Sequence, residues 1–135
     1  MSHTYSQIYL HIVWSTKNRE KLIKEEIEED IKQIIKTKAK KYNSEVIAIG
    51  NTFDHIHVLI KISTKTVISE MIRELKGSTS YFVNNSGRGN LFWQNGYGVL
   101  SVSLPAVETV EKYVQNQKNK HLSNDTIEYL EKINL

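Results

Sequence analysis

Two histidines, His55 and His57, lie two positions apart inside a short apolar run of the sequence. Side chains of a β-strand alternate between its faces, so Ile56, Val58 and Ile60 point one way and the histidines point the other. Two imidazoles on the face opposite an apolar stripe suit the binding of one divalent metal ion. The alternative is that both are solvated strand histidines, because a His-x-His motif is short.

A phenol and an amide occur four residues apart further along the chain, at Tyr113 and Gln117. On a helix this spacing puts both side chains on one face. A helix lying over the histidine face would offer the Gln117 carbonyl as a third metal ligand, with Tyr113 beside it. The alternative for each is an ordinary structural tyrosine and an ordinary surface glutamine.

Such a site predicts chemistry on a phosphodiester. Mixed nitrogen and oxygen ligands with open positions suit Mg²⁺ or Mn²⁺ acting as a Lewis acid, with Zn²⁺ the less favoured ion. A phenol has a pKa of about 10 and is a weak nucleophile at neutral pH. A metal that polarises the scissile phosphate would make attack by the Tyr113 oxygen feasible.

The composition restricts the fold and the partners. A chain of 135 residues with 39% hydrophobic residues predicts one domain over residues 1–135, with a core at 5–121 and a short tail helix at 124–133. The absence of cysteine excludes disulfides and thiolate metal sites. A formal charge of +3 leans towards a polyanionic partner. With no secretion signal or membrane-length apolar run, we expect a cytoplasmic protein without a membrane partner.

The periodicity of apolar residues predicts the elements that hold these side chains. We expect strands at 5–15, 45–51, 55–62 and 97–103, helices at about 20–42 and 67–84, and a long helix from Pro105 to about His121. Gly77 inside the second helix predicts the close approach of another element. The order is that of an α+β, ferredoxin-like or RRM-like βαββαβ fold, an antiparallel sheet with helices on one face and an additional C-terminal helix carrying Tyr113.

In this fold the first and third strands are neighbours, so His11 is expected on the open face near the histidine pair. His11 is therefore a candidate ligand or DNA contact, and a structural hydrogen bond is the alternative. The cations Arg73, Lys76 and Arg88 are candidate phosphate contacts by charge and position, with solvated surface as the alternative.

The motif His55-Ile56-His57 with Tyr113 and Gln117, together with residues 11–17 and 92–103, resembles the single-tyrosine HUH transposases of small insertion sequences, the IS200-like family. The resemblance runs from about Tyr5 to His121. It implies metal ligands at His55, His57 and Gln117 and a nucleophile at Tyr113.

The resemblance also implies an activity and partners. The enzymes of this family cut and rejoin single-stranded DNA beside hairpins at the ends of the element, through a 5′-phosphotyrosine link and without ATP. Membership would imply a homodimer, and in related enzymes the tyrosine helix of one subunit completes the histidine site of the other. Two alternatives remain, a non-catalytic RRM-like nucleic-acid-binding module and a domesticated HUH nicking enzyme.

Overall fold

The computed structural model describes residues 4–134, so residues 1–3 and 135 of the predicted domain lie outside the described residues. The strands are β1 (Ile8–Ser15), β2 (Glu45–Asn51), β3 (His55–Ile62) and β4 (Gly98–Val102), and the helices are α1 (Glu25–Lys40), α2 (Ile68–Asn84), α3 (Val107–Gln115), α4 (Gln117–Leu122) and α5 (Glu128–Glu131). The strands form one antiparallel sheet in the order β2-β3-β1-β4. This confirms the predicted α+β, ferredoxin-like or RRM-like fold.

One face of the sheet is covered by α1 and α2, which bury an apolar core. Alternate residues of β1 and β3 supply the sheet side of this layer: Leu10, Ile12, Trp14, Ile56, Val58 and Ile60. The helices supply a matching stripe that includes Ile27, Ile31, Ile35, Met71, Ile72 and Leu75. Full burial of each such side chain contributes about 1.5–3 kcal/mol to the free energy of folding. Within residues 4–134, no helix combines the length and the apolar character needed to span a bilayer.

Helix α1 begins five residues later than the periodicity predicts, at Glu25 instead of residue 20. The backbone N–H of Ile23 donates to the carbonyl of Phe53 at 2.9 Å, and this contact with the β2–β3 turn holds the segment outside the helix. Ile23 is nevertheless buried in the core. The apolar periodicity therefore includes Ile23, which is buried in the core but lies before the start of α1.

The opposite face of the sheet is covered by α3. Val110 and Val114 of this helix pack with Leu59 of β3 and Val102 of β4 in a second, smaller apolar cluster. The helix approaches β2 so closely that a Cβ atom at Gly50 would lie 1.6 Å from the carbonyl oxygen of Val114. The predicted additional helix therefore lies over the face that carries the histidine pair.

The helix predicted from Pro105 to His121 is interrupted. It starts with a 3₁₀ turn at Leu104–Ala106, α3 ends at Gln115, and α4 begins at Gln117 after Asn116 leaves helical geometry with φ −106 and ψ 28. The tail helix predicted at 124–133 is shorter, since α5 covers Glu128–Glu131. The side chain of Leu130 in α5 is buried and attaches this tail to the rest of the fold.

The expectation that another element approaches Gly77 was wrong, since a Cβ atom built there would have no neighbour within 4 Å. Gly77 is exposed on α2. The close approach, by α3, occurs at Gly50 in strand β2 instead. The glycine of a strand does not interrupt a helical pattern, so the sequence pattern did not reveal this contact.

These two glycines give a matched test of the α3 contact. Gly50→Ala should lower the free energy of unfolding by at least about 1–3 kcal/mol, because the added methyl group meets the backbone of Val114 and α3 must move. Gly77→Ala should instead raise it by about 0.5–1 kcal/mol, because alanine favours an exposed helical site. Urea denaturation of both variants measures the difference. A Gly50→Ala variant as stable as the wild type would contradict the described packing of α3.

Candidate active site

Strand β3 brings the two motif histidines into the layer between the sheet and the C-terminal helices. The side chains of His55 and His57 are only 3% and 0% exposed, so they are not solvated strand histidines. The Nε2 atoms of both rings converge on one carboxylate oxygen, Oε1 of Glu131, at 3.1 and 3.2 Å. The site is therefore buried and polar, and it is built around the histidine pair.

The Nδ1 atom of each histidine has its own partner behind the ring. His55 Nδ1 lies 2.7 Å from Asp54 Oδ1 and 2.8 Å from Thr52 Oγ1. His57 Nδ1 lies 2.8 Å from Nε2 of the buried His11. Partners at Nδ1 fix the orientation of an imidazole and leave Nε2 to face a ligand. His11 thus lies beside the pair, as expected, and contacts its member His57.

Burial also keeps two of these rings neutral. Desolvation lowers the pKa of His57, and desolvation together with the neighbouring His57 lowers the pKa of His11 to about 3. Near neutral pH a ring with such a pKa is uncharged and holds a free lone pair on one nitrogen. A neutral imidazole is the form that binds metal ions.

Two residues that the sequence reasoning missed complete the cluster. His121 of α4 and Glu131 of α5 join the histidine pair, and the four ligand atoms all lie within 4.8 Å of one another. His121 could have been found, because it follows Gln117 by four residues and continues the same helical spacing. Glu131 gave no sequence signal, because its placement depends on the tail folding back over the sheet.

Tyr113 lies beside the same cluster. It is 3% exposed, and its ring lies edge-on to that of His57 with 6.0 Å between centroids. Its hydroxyl group donates to Glu131 Oε2 and accepts a hydrogen bond of 3.0 Å from the backbone N–H of Ile127. Burial and the hydrogen bond to Glu131 raise the pKa of the Tyr113 phenol to about 12. In this conformation the Tyr113 phenol is protonated, and its oxygen is hydrogen-bonded both to Glu131 and to the Ile127 N–H.

Gln117 is turned so that its carbonyl oxygen faces the histidines. Its Nε2 donates to the backbone carbonyl of Tyr113 at 3.0 Å, and its Oε1 lies 3.1 Å from His121 Nε2. The side chain is buried, and the break at Asn116 separates the helix that carries Tyr113 from the one that begins at Gln117. The structure therefore brings His55, His57 and Tyr113 together around Glu131 and connects Gln117 to them through His121.

The donor set fits a divalent metal ion. Burial by itself would raise the pKa of the Glu131 carboxyl group, but contacts with His55 and His57 outweigh burial and hold that pKa far below its usual range. An ionised carboxylate beside a neutral imidazole such as that of His57 is a combination with which a protein binds such an ion. The residues available to hold it are His55, His57, His121 and Glu131, with Gln117 Oε1 adjacent.

The predicted DNA contacts do not form one cluster, since Lys76 and Arg73 line a groove beside α2 that His11 and Arg88 do not line. His11 is buried under the site, and Lys76 Nζ donates to the carbonyls of Gln94 and Gly96 at 2.8 and 3.1 Å. Arg88 pairs with Asp30. A DNA role for these three residues stays a prediction.

The fourth predicted contact, Arg73, lies on a groove beside α2. It is exposed, and the groove has a volume of about 790 Å³. Lys17, Lys76 and the aromatic side chains Phe92, Trp93 and Tyr97 also line it. A DNA role for Arg73 likewise stays a prediction.

Comparison with known proteins places these features in a family. Residues 4–117 match the profile of the family described as "Transposase IS200 like". The ISDra2 transposase TnpA of Deinococcus radiodurans is 28% identical over 122 residues, which are 84% of this chain and 86% of that protein. The transposase for insertion sequence element IS200 of Salmonella typhimurium is 25% identical over 124 residues, 87% of this chain and 81% of that protein.

Solved structures show the same fold. A crystal structure of a Deinococcus radiodurans protein assigned as a transposase has a TM-score of 0.67 at 24% identity, over 87% of this chain and 95% of that one. The structure of a REP-associated tyrosine transposase bound to a REP hairpin has a TM-score of 0.69 at 14% identity, over 90% and 73% of the two chains. The sequence match covers most of the chain and includes both Tyr113 and Gln117, and the chain therefore belongs to the family of IS200-like transposases.

Proposed function

We propose that this transposase is a metal-dependent enzyme that cuts and rejoins single-stranded DNA beside hairpins, through a covalent link between a 5′-phosphate and Tyr113. The observation that carries the proposal is the placement of the buried Tyr113 ring 6.0 Å from that of His57 in a chain of this family. For an arbitrary helical tyrosine, a purely structural role would be the better explanation. A tyrosine whose hydroxyl group shares a carboxylate with two histidines is better explained as a nucleophile.

We assign the metal ligands of the reaction to His55, His57 and the carbonyl oxygen of Gln117. A divalent ion bound there, Mg²⁺ or Mn²⁺, would polarise an oxygen of the scissile phosphate. Asp54 and His11 act through the rings, since each contacts the Nδ1 atom of one histidine and leaves its Nε2 atom facing the site.

Tyr113 performs the covalent step. Its phenolic oxygen attacks phosphorus, the bond from phosphorus to the 3′ oxygen breaks, and the departing strand ends in a 3′-hydroxyl group that carries the proton lost by the phenol. In the second step, the 3′-hydroxyl group of another strand attacks the phosphotyrosine, and the phenol regains a proton. The number of phosphodiester bonds is unchanged, so no ATP is consumed.

We infer that the DNA partner includes a hairpin. The relative of similar fold is a tyrosine transposase bound to a REP hairpin, and this chain has a formal charge of +3. The groove beside α2 combines Arg73 with the aromatic side chains of Phe92 and Tyr97, a combination that suits phosphates and unpaired bases. We also retain the homodimer implied by the family resemblance as a proposal.

The position of α3 argues against a non-catalytic nucleic-acid-binding module of the RRM type. Such modules bind nucleic acid on the open face of the sheet, through exposed aromatic side chains. Here α3 covers that face through Val110 and Val114. A domesticated nicking enzyme would use the same site, and strand transfer in addition to nicking distinguishes a transposase from it.

Replacing the nucleophile is the first test. Tyr113→Phe should abolish the covalent adduct with labelled single-stranded DNA from the flanks of the gene, because phenylalanine has no oxygen to attack phosphorus. Hairpin binding should persist, and a denaturing gel together with a binding assay measures both. Tyr129→Phe is the matched control, since Tyr129 is 64% exposed and should be dispensable. Normal adduct formation by Tyr113→Phe would exclude Tyr113 from the mechanism.

Removing the metal or one of its ligands is the second test. His57→Ala, or EDTA added to the wild type, should reduce cleavage by at least about 100-fold, because a lost Lewis acid removes several kcal/mol of transition-state stabilisation. Hairpin binding should change far less. Cleavage that persists in EDTA would refute the metal assignment.

Mixing two inactive variants tests which subunit supplies the tyrosine. The described chain brings Tyr113 to its own histidine pair, so co-expressed Tyr113→Phe and His57→Ala chains should form no adduct. A site shared between subunits would behave differently. One of the two sites of the mixed dimer would then combine the histidine pair of the Tyr113→Phe chain with the tyrosine of the His57→Ala chain. Restored adduct formation would therefore show the arrangement in trans that the family resemblance implies.

A further inference from the structure

The segment after residue 117, which the family match does not cover, contributes two side chains to the site. The match ends at residue 117, whereas His121 and Glu131 lie on α4 and α5 beyond it. Both residues place a ligand atom among those of the histidine pair. The family match therefore assigns no role to His121 or Glu131.

Four of the six distances between these ligand atoms are close to those around a four-coordinate ion, and all six are within 4.8 Å. Glu131 Oε1 lies 3.1 Å from His55 Nε2, 3.2 Å from His57 Nε2 and 3.2 Å from His121 Nε2. The Nε2 atoms of His55 and His121 are 3.2 Å apart. Zinc bound to nitrogen at about 2.0 Å in a tetrahedron puts its ligand atoms about 3.3 Å from one another.

The end of the chain around α5 is short and is attached at few points apart from Glu131. Those points include the buried side chain of Leu130, the hydrogen bond from the Ile127 N–H to Tyr113, and the approach of the Lys132 carbonyl to Gly98. Helix α5 is only four residues long. Such a segment opens at lower cost than the core, and the contacts of Glu131 contribute much of that cost.

We propose that His55, His57, His121 and Glu131 form a closed site for a zinc-type ion, in which the segment after residue 117 supplies two of the four ligands and Glu131 occupies the position needed by the substrate phosphate. The proposal rests on the assignment of His55 and His57 as metal ligands. The second oxygen of Glu131 accepts the hydrogen bond of the Tyr113 hydroxyl group, so one carboxylate holds both the ion and the nucleophile. Cleavage then requires Glu131 to withdraw in favour of a phosphate oxygen.

Cobalt(II) is the probe, because its visible absorption is strong when four ligands surround it and weak when six do. The full chain titrated with Co²⁺ should show the strong bands, and Glu131→Gln and His121→Ala should each lose them. Zn²⁺ displaces Co²⁺ in competition and gives the zinc affinity. That affinity should fall by at least about 10-fold in each variant, since even a hydrogen-bond partner of a metal ligand is worth about 10- to 100-fold.

Glu128→Gln is the matched control, since Glu128 is an exposed glutamate on the same helix α5 and should keep the spectrum and the zinc affinity of the wild type. Circular dichroism establishes that each variant is folded. Wild-type spectra and zinc affinity in both Glu131→Gln and His121→Ala would overturn the proposal.

Adduct formation with Mn²⁺ in the same wild-type preparation separates this proposal from the proposed function. An adduct from the wild type, together with cobalt spectra that do not depend on Glu131 or His121, would overturn the four-ligand site alone. Cobalt spectra that depend on both residues, without any adduct from the wild type or from Glu131→Gln, which lacks the closing carboxylate, would support the site and overturn the proposed activity.

Discussion

Strand β3 is hydrogen-bonded along both edges, to β1 and to β2, so its side chains can face only one of two buried layers. The apolar set led by Ile56 and Val58 faces α1 and α2, and this places His55 and His57 in the other layer. Burying two imidazoles is costly unless their nitrogens have partners. Much of the polar structure around β3 supplies those partners.

Tyr113, the proposed nucleophile, is positioned by packing that has no chemical role of its own. Val110 and Val114 hold α3 against Leu59, and the missing side chain at Gly50 lets the helix lie directly on the backbone of β2. Tyr113 lies next to Val114 in the sequence and therefore reaches the histidine layer. The apolar contacts of α3 thus determine the distance between the Tyr113 phenol and the histidine pair.

Glu131 connects the two chemical parts of the site. One of its oxygens faces the histidines, and the other accepts the hydrogen bond from Tyr113. A change in the docking of α5 would therefore act on the histidine pair and on Tyr113 together. Through this link, a helix of four residues outside the part of the chain that matches the family would influence the proposed reaction.

Strict alternation and helical spacing are local properties, and they determined the sheet, its helices and the grouping of His55, His57, Tyr113 and Gln117. The motif also identified the family, which the comparison confirmed. Only the tertiary structure decided the break at Asn116, the close approach at Gly50, and the arrival of Glu131. The approach at Gly50 and the placement of Glu131 depend on contacts between segments distant in sequence, where a single small residue or a short tail leaves no periodic pattern to interpret.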